Sequence, residues 1–256
     1  MRKKIKLLVI CFITGIFFPF FGFEIVSAYE EKNNNKFLNG NFYGYVTIAS
    51  DFVFRGESET FDGDITVYQG SLGWKHNSGW YTGLFGSNIK FEDPKLDILI
   101  GPFVGKSGSL GFADLTYDLL FWSYLYPGAT YSNYSELWIR VAKKIGKANF
   151  QFEITPNVDD WFGVEGWRGI NYAIHPSYSF EKGLNISGSL GYQDLQGAGA
   201  EGWTHWNLGV KKLLFGLTFD LRYHDSDVDS SHLVYGSPNG QKIFDERFVI
   251  GVAKVF

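Results

Sequence analysis

Leu217-Thr218-Phe219-Asp220-Leu221-Arg222-Tyr223-His224 alternates without a break, apolar or aromatic at odd positions and polar or charged at even ones. A backbone whose successive side chains point to opposite faces is a β-strand, so this stretch sorts cleanly only as one. The pattern recurs upstream. Leu115, Tyr117, Leu119 and Phe121 oppose Thr116 and Asp118, and Leu137, Ile139 and Val141 oppose Glu136 and Arg140. Phe150, Phe152 and Ile154 oppose Gln151 and Glu153. Nearer the start, Tyr81, Phe85, Ile89 and Phe91 are set against Thr82, Gly86, Asn88 and Lys90. Val46, Ile48, Phe52 and Phe54 are set in the same way against Thr47, Asp51 and Arg55. One face is apolar; the other carries charges of both signs.

Continuing the pattern from Phe42 to Phe256 predicts about twelve strands, starting near residues 42, 64, 80, 96, 110, 134, 148, 170, 184, 204, 217 and 246. The connections alternate in length. Short ones run through His76-Asn77-Ser78-Gly79, Lys106-Ser107-Gly108, Ile145-Gly146, Lys182-Gly183 and Phe215-Gly216. Long ones span 56–63, 127–133, 156–169, 194–202 and 225–245, and only Glu92-Asp93-Pro94 breaks the long set. Short turns at one end, long loops at the other and an even strand count describe a transmembrane antiparallel β-barrel, with both termini on the short-turn, periplasmic side.

Composition agrees. The 256 residues include 25 Phe, 15 Tyr, 8 Trp and 31 Gly, a sheet-and-turn inventory. No apolar run of helix-spanning length follows the first one, which excludes a bundle of transmembrane helices. That first run, Leu7 to about Phe23, follows Arg2, Lys3, Lys4 and Lys6 and ends at Val26-Ser27-Ala28. It reads as a cleaved signal peptide over residues 1–28, in preference to an uncleaved anchor. A polar, disordered lead-in is expected over 29–40 and the barrel over 41–256. Cleavage takes away four basic residues and Glu24, moving the formal net charge from −4 to −7. Nucleic acid is therefore not an expected partner, because binding phosphates requires clustered Lys and Arg. The sole cysteine, Cys11, leaves with the leader, so disulfides and thiolate sites are excluded from the mature chain.

A soluble sandwich or lipocalin-like barrel would alternate too. Its water-facing set would carry many charges, whereas here the polar faces are Gly- and Ser-rich. The apolar faces are aromatic, often at strand ends (Phe42, Trp74, Tyr81, Phe91, Trp206, Tyr223), as in the girdles of a membrane barrel. Phe256 closes the last alternation in line with Phe248, Ile250 and Val252. A terminal aromatic of this kind is what barrel-assembly machinery reads.

Tyr45-Val46-Thr47-Ile48-Ala49-Ser50-Asp51-Phe52-Val53-Phe54-Arg55-Gly56-Glu57-Ser58-Glu59-Thr60 resembles the opening of the Gcw_chp family, also called the TorF porin family. The resemblance continues through Gln69-Gly70-Ser71-Leu72-Gly73-Trp74, Ser78-Gly79-Trp80-Tyr81-Thr82-Gly83, Tyr124-Leu125-Tyr126-Pro127-Gly128 and Tyr223-His224-Asp225-Ser226-Asp227. It covers nearly all of the mature chain. The ending Ala253-Lys254-Val255-Phe256 departs from the family's more polar one. What the resemblance implies is an outer-membrane barrel with a pore; it supplies no solute and no catalytic residue.

The candidate lumen-lining residues are Asp51, Arg55, Asp118, Glu136, Arg140, Glu153, Asp220 and Arg222. Asp51 with Arg55, and Glu136 with Arg140, sit on the polar faces of single strands. Such pairs either set a transverse field that selects solutes or brace the wall as a salt-bridge network, and bracing is preferred. Asp225-x-Asp227-x-Asp229 has calcium-loop spacing, but Ser230 stands at the glycine position and Gly236 where a glutamate is needed. No metal and no cofactor are expected. His175 and Ser177 share a polar face, but period-2 neighbours lie about 7 Å apart, too far for a nucleophile and its base. No Gly-x-Ser-x-Gly elbow occurs, so an enzyme such as a barrel lipid hydrolase is disfavoured. The expected function is an outer-membrane porin passing small solutes by passive diffusion, its other partners being outer-membrane lipid and lipopolysaccharide. The alternative is a structural or adhesive barrel without an open pore, which lumen-filling Trp122, Trp138 and Tyr124 would favour.

Overall fold

The period-2 segments become twelve long strands that close on themselves. In the computed structural model, which describes residues 38–61, 63–229 and 243–256, β1 is Gly40–Ala49, followed by the two-residue strands β2 (Val53–Phe54) and β3 (Glu57–Ser58). Then come β4 (Val67–His76), β5 (Trp80–Asn88), β6 (Ile98–Ser109), β7 (Leu115–Tyr124), β8 (Tyr134–Ile145) and β9 (Ala148–Pro156). The series ends with β10 (Arg168–Ser179), β11 (Leu184–Gln196), β12 (Trp203–Leu214), β13 (Leu217–Ser226) and β14 (Arg247–Val255). From β4 onward each strand pairs antiparallel with the next, and β1 closes the barrel between β4 and β14. β2 and β3 stand apart as a separate hairpin. The sequence-predicted starts agree to within five residues. The expected signal peptide and the expected lead-in up to residue 37 lie outside the described residues, and the strand pattern begins at Gly40, one residue before the expected boundary.

Outward positions form an exposed apolar belt that includes Val46, Leu72, Leu84, Leu119, Ile139 and Ile250. So continuous an apolar surface is stable against lipid and not against water. No described helix is long and apolar enough to cross a membrane; strands make the crossing, where every backbone group can be paired in a closed sheet. Aromatic residues rim the belt, with Tyr68, Tyr192 and Phe248 exposed toward the long-loop end and Phe42, Trp80 and Tyr178 toward the short-turn end.

The interior is lined unevenly. β10 to β13 present Asn171, Asn185, Gln193, His205, Arg222 and His224, all buried. β5 to β8 present large rings instead, including Phe85, Phe103, Trp122 and Trp138. Several rings on β5 and β6 fit because glycine faces them across the ladder. Gly83 lies opposite Phe103 and Gly105 opposite Tyr81, and a Cβ on either would come within 2.4 Å of the ring. Phe103 and Trp122 then stack with centroids 5.2 Å apart.

This arrangement corrects four sequence-based expectations. Tyr81 and Phe85 face inward and Trp80 and Leu84 outward, because β5 carries apolar residues on both faces and the glycines opposite Tyr81 and Phe85, Gly105 and Gly101, leave room inside for their rings. Phe52 and Phe54 do not continue the outer face of Val46 and Ile48. β1 ends at Ala49, and the chain then dips into the barrel as the β2–β3 hairpin. Lys106-Ser107-Gly108 is also not a turn; it lies within β6, and the turn follows at 110–114. The apparent exception among the long connections disappears, since residues 89–97 form a nine-residue loop on the long-loop side.

Candidate functional site

The hairpin turns at Arg55-Gly56, both at positive φ (51° and 87°), the two-residue geometry whose twist suits a tight hairpin. Glycine adopts it freely; for Arg55 it is a sparsely populated conformation that surrounding contacts must hold. They are abundant. The Arg55 guanidinium donates two bonds to the Glu136 carboxylate on β8 (2.7 and 3.1 Å) and one to Gln193 Oε1 on β11 (3.0 Å). The rings of Phe54, Trp138 and Trp161 surround it, with Cζ 4.6, 5.4 and 5.7 Å from their centroids. Trp203 Nε1 on β12 donates to the Arg55 carbonyl at 2.9 Å. Tyr124 on β7 donates its hydroxyl to Glu136 Oε2 at 2.9 Å, fixing the carboxylate.

The root of the hairpin is fastened at Asp51. Its carboxylate accepts from Arg247 on β14 (3.0 Å), from Ser58 (2.9 Å) and from the Thr60 hydroxyl. Phe52 meets Phe85 on β5 edge to face. The hairpin thus touches walls on β5, β7, β8, β11, β12 and β14 and fills the long-loop mouth of the barrel. Behind it lies a cavity of about 10 Å³, lined by Phe52, Phe54, Phe85, Trp122, Trp138 and Arg140 among others, with room for at most one water.

A second belt lies deeper. Arg140 on β8 donates Nη1 to Asp118 on β7 (2.9 Å) and Nε to Glu153 on β9 (3.0 Å). Tyr81 donates to Asp118 at 2.5 Å, and His175 Nε2 stands 3.6 Å from Glu153. Trp138 separates the two belts, its ring 4.5 Å from the Arg140 guanidinium and 5.4 Å from that of Arg55. A third group occupies the polar wall: Arg222 bonds Asn207 Oδ1 (2.7 Å) and Ser187 Oγ (2.8 Å), and Asp220 lies 3.4 Å from Arg222 and 4.0 Å from Lys211.

All eight candidate residues are buried inside the barrel, but they do not pair as the sequence suggested. Asp51 and Arg55 share neither a strand nor a bond; one joins β14 and the other β8. Glu136 and Arg140 sit on one strand yet serve different belts. The partners that sequence reading missed include Arg247, Gln193, Trp203 and Lys211; Tyr124 was expected as a lumen-filling ring, not as the donor to Glu136. Arg247 was within reach, because it lies two residues before the inward-facing Val249 on β14. Gln193 and Trp203 carry no such signal, since their roles depend on where the hairpin tip lands.

The other constellations are absorbed locally. Asp225 accepts from the Tyr223 hydroxyl and the Ser226 amide, and Asp227 from the Thr204 amide. Among the described residues, no group of three or more His, Cys, Asp or Glu side chains could hold a metal ion.

A closed twelve-stranded barrel, apolar without and charged within, is an outer-membrane, porin-like fold. It is similar to the COG4313 outer membrane channel from Pseudomonas putida F1, at 11% identity over 88% of this chain and 99% of that one, with a TM-score of 0.50. It is also similar to the NanC porin, at 10% identity over 84% and 98% of the two chains, with a TM-score of 0.54. Comparison with curated proteins gives no match. Residues 39–256 match the family described as "Bacterial protein of unknown function (Gcw_chp)", and the chain belongs to it.

Proposed function

We propose that this protein is an outer-membrane channel through which small solutes diffuse passively, exported by the signal peptide at residues 1–28. The observation that supports this reading is the transverse arrangement of Arg55, Glu136, Arg140, Asp118 and Glu153 inside a closed barrel. Charges of both signs held across a narrow interior act on whatever passes between them. Twelve strands enclose less than the 16 to 18 of water-filled porins, so the passage is small. The lipid and lipopolysaccharide around the barrel, and the assembly machinery reading Phe256, complete its partners; no catalytic step is assigned.

A second reading, a structural barrel without an open pore, is favoured by the hairpin in the mouth and by the pairing of the interior charges. Planar-bilayer recording separates the two. The channel reading expects small ohmic steps from the wild type and larger ones when residues 51–60 are replaced by a short glycine–serine link. If neither protein conducts, the structural barrel stands and the channel is abandoned.

A further inference from the structure

We propose that the Arg55 side chain occupies the channel's own solute site as a tethered stand-in, and that the solutes admitted there carry a guanidinium group. The proposal rests on the channel reading above and names its substrate class.

The argument begins with who builds the clamp. Of the groups around the Arg55 guanidinium, only Phe54 belongs to the hairpin. Glu136, Gln193 and Trp138 come from the wall and Trp161 from the loop after β9, so the site persists if the hairpin leaves. Its chemistry is specific. The two Glu136 oxygens receive parallel N–H bonds at 2.7 and 3.1 Å, a fork that a planar guanidinium fits and a spherical cation does not. Gln193 Oε1 takes a third N–H, and two indole rings lie within cation–π range of the same carbon. Tyr124 holds Glu136 in place whether or not Arg55 is present.

The occupant, by contrast, is held against local preference. Arg55 sits at φ 51° at the tip of a hairpin with two paired residues on each strand. The other carboxylates offer no equivalent opening in the wall, because Asp118 and Glu153 are matched by the wall's own Arg140, Asp51 is matched by Arg247, and Glu57 and Glu59 belong to the hairpin itself. A free guanidinium arriving from the long-loop side therefore has one exchangeable partner set, and taking it releases the tip and widens the mouth. The tethered competitor works at an effective concentration on the order of millimolar or above, so the wild type should respond only to guanidinium in that range.

Bilayer recordings of the mature protein test this with guanidinium chloride, potassium chloride at equal ionic strength, and urea as a neutral isostere. Wild-type conductance should rise with guanidinium and with neither control. In Arg55→Gln the site stands vacant, so its potassium current should be blocked by guanidinium at a concentration at least tenfold lower. Glu136→Gln should abolish both responses. Tryptophan fluorescence of the detergent-solubilised Arg55→Gln protein reads binding without current, because Trp138 and Trp161 flank the site. Equal responses to guanidinium and potassium overturn the proposal, as does a flat fluorescence titration. Binding in the variant with no effect on wild-type current also overturns it, making Arg55 a fixed brace. If nothing conducts, including the hairpin replacement, the channel reading fails, and the titration still decides whether the clamp takes a free guanidinium.

Discussion

Arg140 shows what a single interior charge does for this wall. It is almost fully buried and answers two carboxylates on the flanking strands, Asp118 and Glu153. Removing it leaves two anions in a low-dielectric interior, and breaking a buried pair by deleting one partner costs about 3 to 5 kcal/mol. Arg140→Ala should therefore lower the urea midpoint of the liposome-folded barrel, whereas Arg140→Ala combined with Asp118→Asn and Glu153→Gln should recover much of the loss. A single mutant as stable as the wild type would show that water already solvates this belt. Lysine at the same position should serve poorly, because a compact ammonium lacks the planar fork that sets Nε against Glu153 and Nη1 against Asp118 on opposite flanking strands.

Among the elements, β7 and β8 give the plainest test of which face meets lipid. Leu119 and Ile139 are cross-strand partners and exposed on the outer wall, while Thr116 points inward with its hydroxyl bonded to the Ala142 carbonyl. Arginine at Leu119 or Ile139 should cost about 2 to 4 kcal/mol near the bilayer midplane. Thr116→Arg should fold with near wild-type yield. Similar folding yields for all three would mean that the outer belt does not contact hydrocarbon.

The hairpin carries a pH dependence of its own. Burial pushes the Glu57 carboxyl up to about 8, and burial together with the charges of Glu57 and Asp51 raises Glu59 well above the ordinary glutamate value of 4.5, against the pull of Arg55. Carboxyls raised in the folded state favour docking while protonated. Their contribution is complete below about 4.5 and is lost as pH climbs through about 8. Conductance should accordingly grow between pH 6 and pH 9, and Glu57→Gln with Glu59→Gln should flatten that rise. A wild-type profile that is flat, or that falls with pH, would remove these groups from control of the hairpin.

The strands were legible because lipid on one side and packed interior on the other impose strict alternation, as in Leu217 to His224. The hairpin was not, because Phe52 and Phe54 keep the same parity as Ile48; the bend after Ala49 takes them inward, and the positive φ at Arg55 and Gly56 then reverses the chain. β5 was ambiguous for a related reason. The burial of Tyr81 and Phe85 is decided by glycines on the next strand, a pairing absent from any local window. The candidate charges all lie buried inside the barrel, but the partners of Arg55 and Asp51 lie 81 and 196 residues away, beyond the reach of spacing.

At the scale of the whole molecule, the connections at 77–79, 110–114, 146–147, 180–183 and 215–216 lie at one end with Gly40 and Val255. Glu165, exposed in the opposite set, and Lys147, exposed in a short turn, mark the two sides. The mature chain is expected to be free of cysteine, so Glu165→Cys and Lys147→Cys each introduce a unique label site. Intact cells should label the first, and the second only after the outer membrane is permeabilised. The reverse pattern would invert the barrel.

The closing seam bears on how such a molecule comes into being. β1 and β14 share five paired residues, Tyr45–Ala49 with Gly251–Val255, and Gly44 and Phe256 exchange two further backbone bonds. These partners stand some two hundred positions apart, so no shorter stretch of the chain can join its own ends. Until the final strand arrives, any inserted sheet presents two raw borders of amide and carbonyl groups to hydrocarbon, which tolerates neither. Insertion and closure must therefore be a single event, slow to begin because it awaits the most distant contact, and hard to reverse because reopening restores both borders at once.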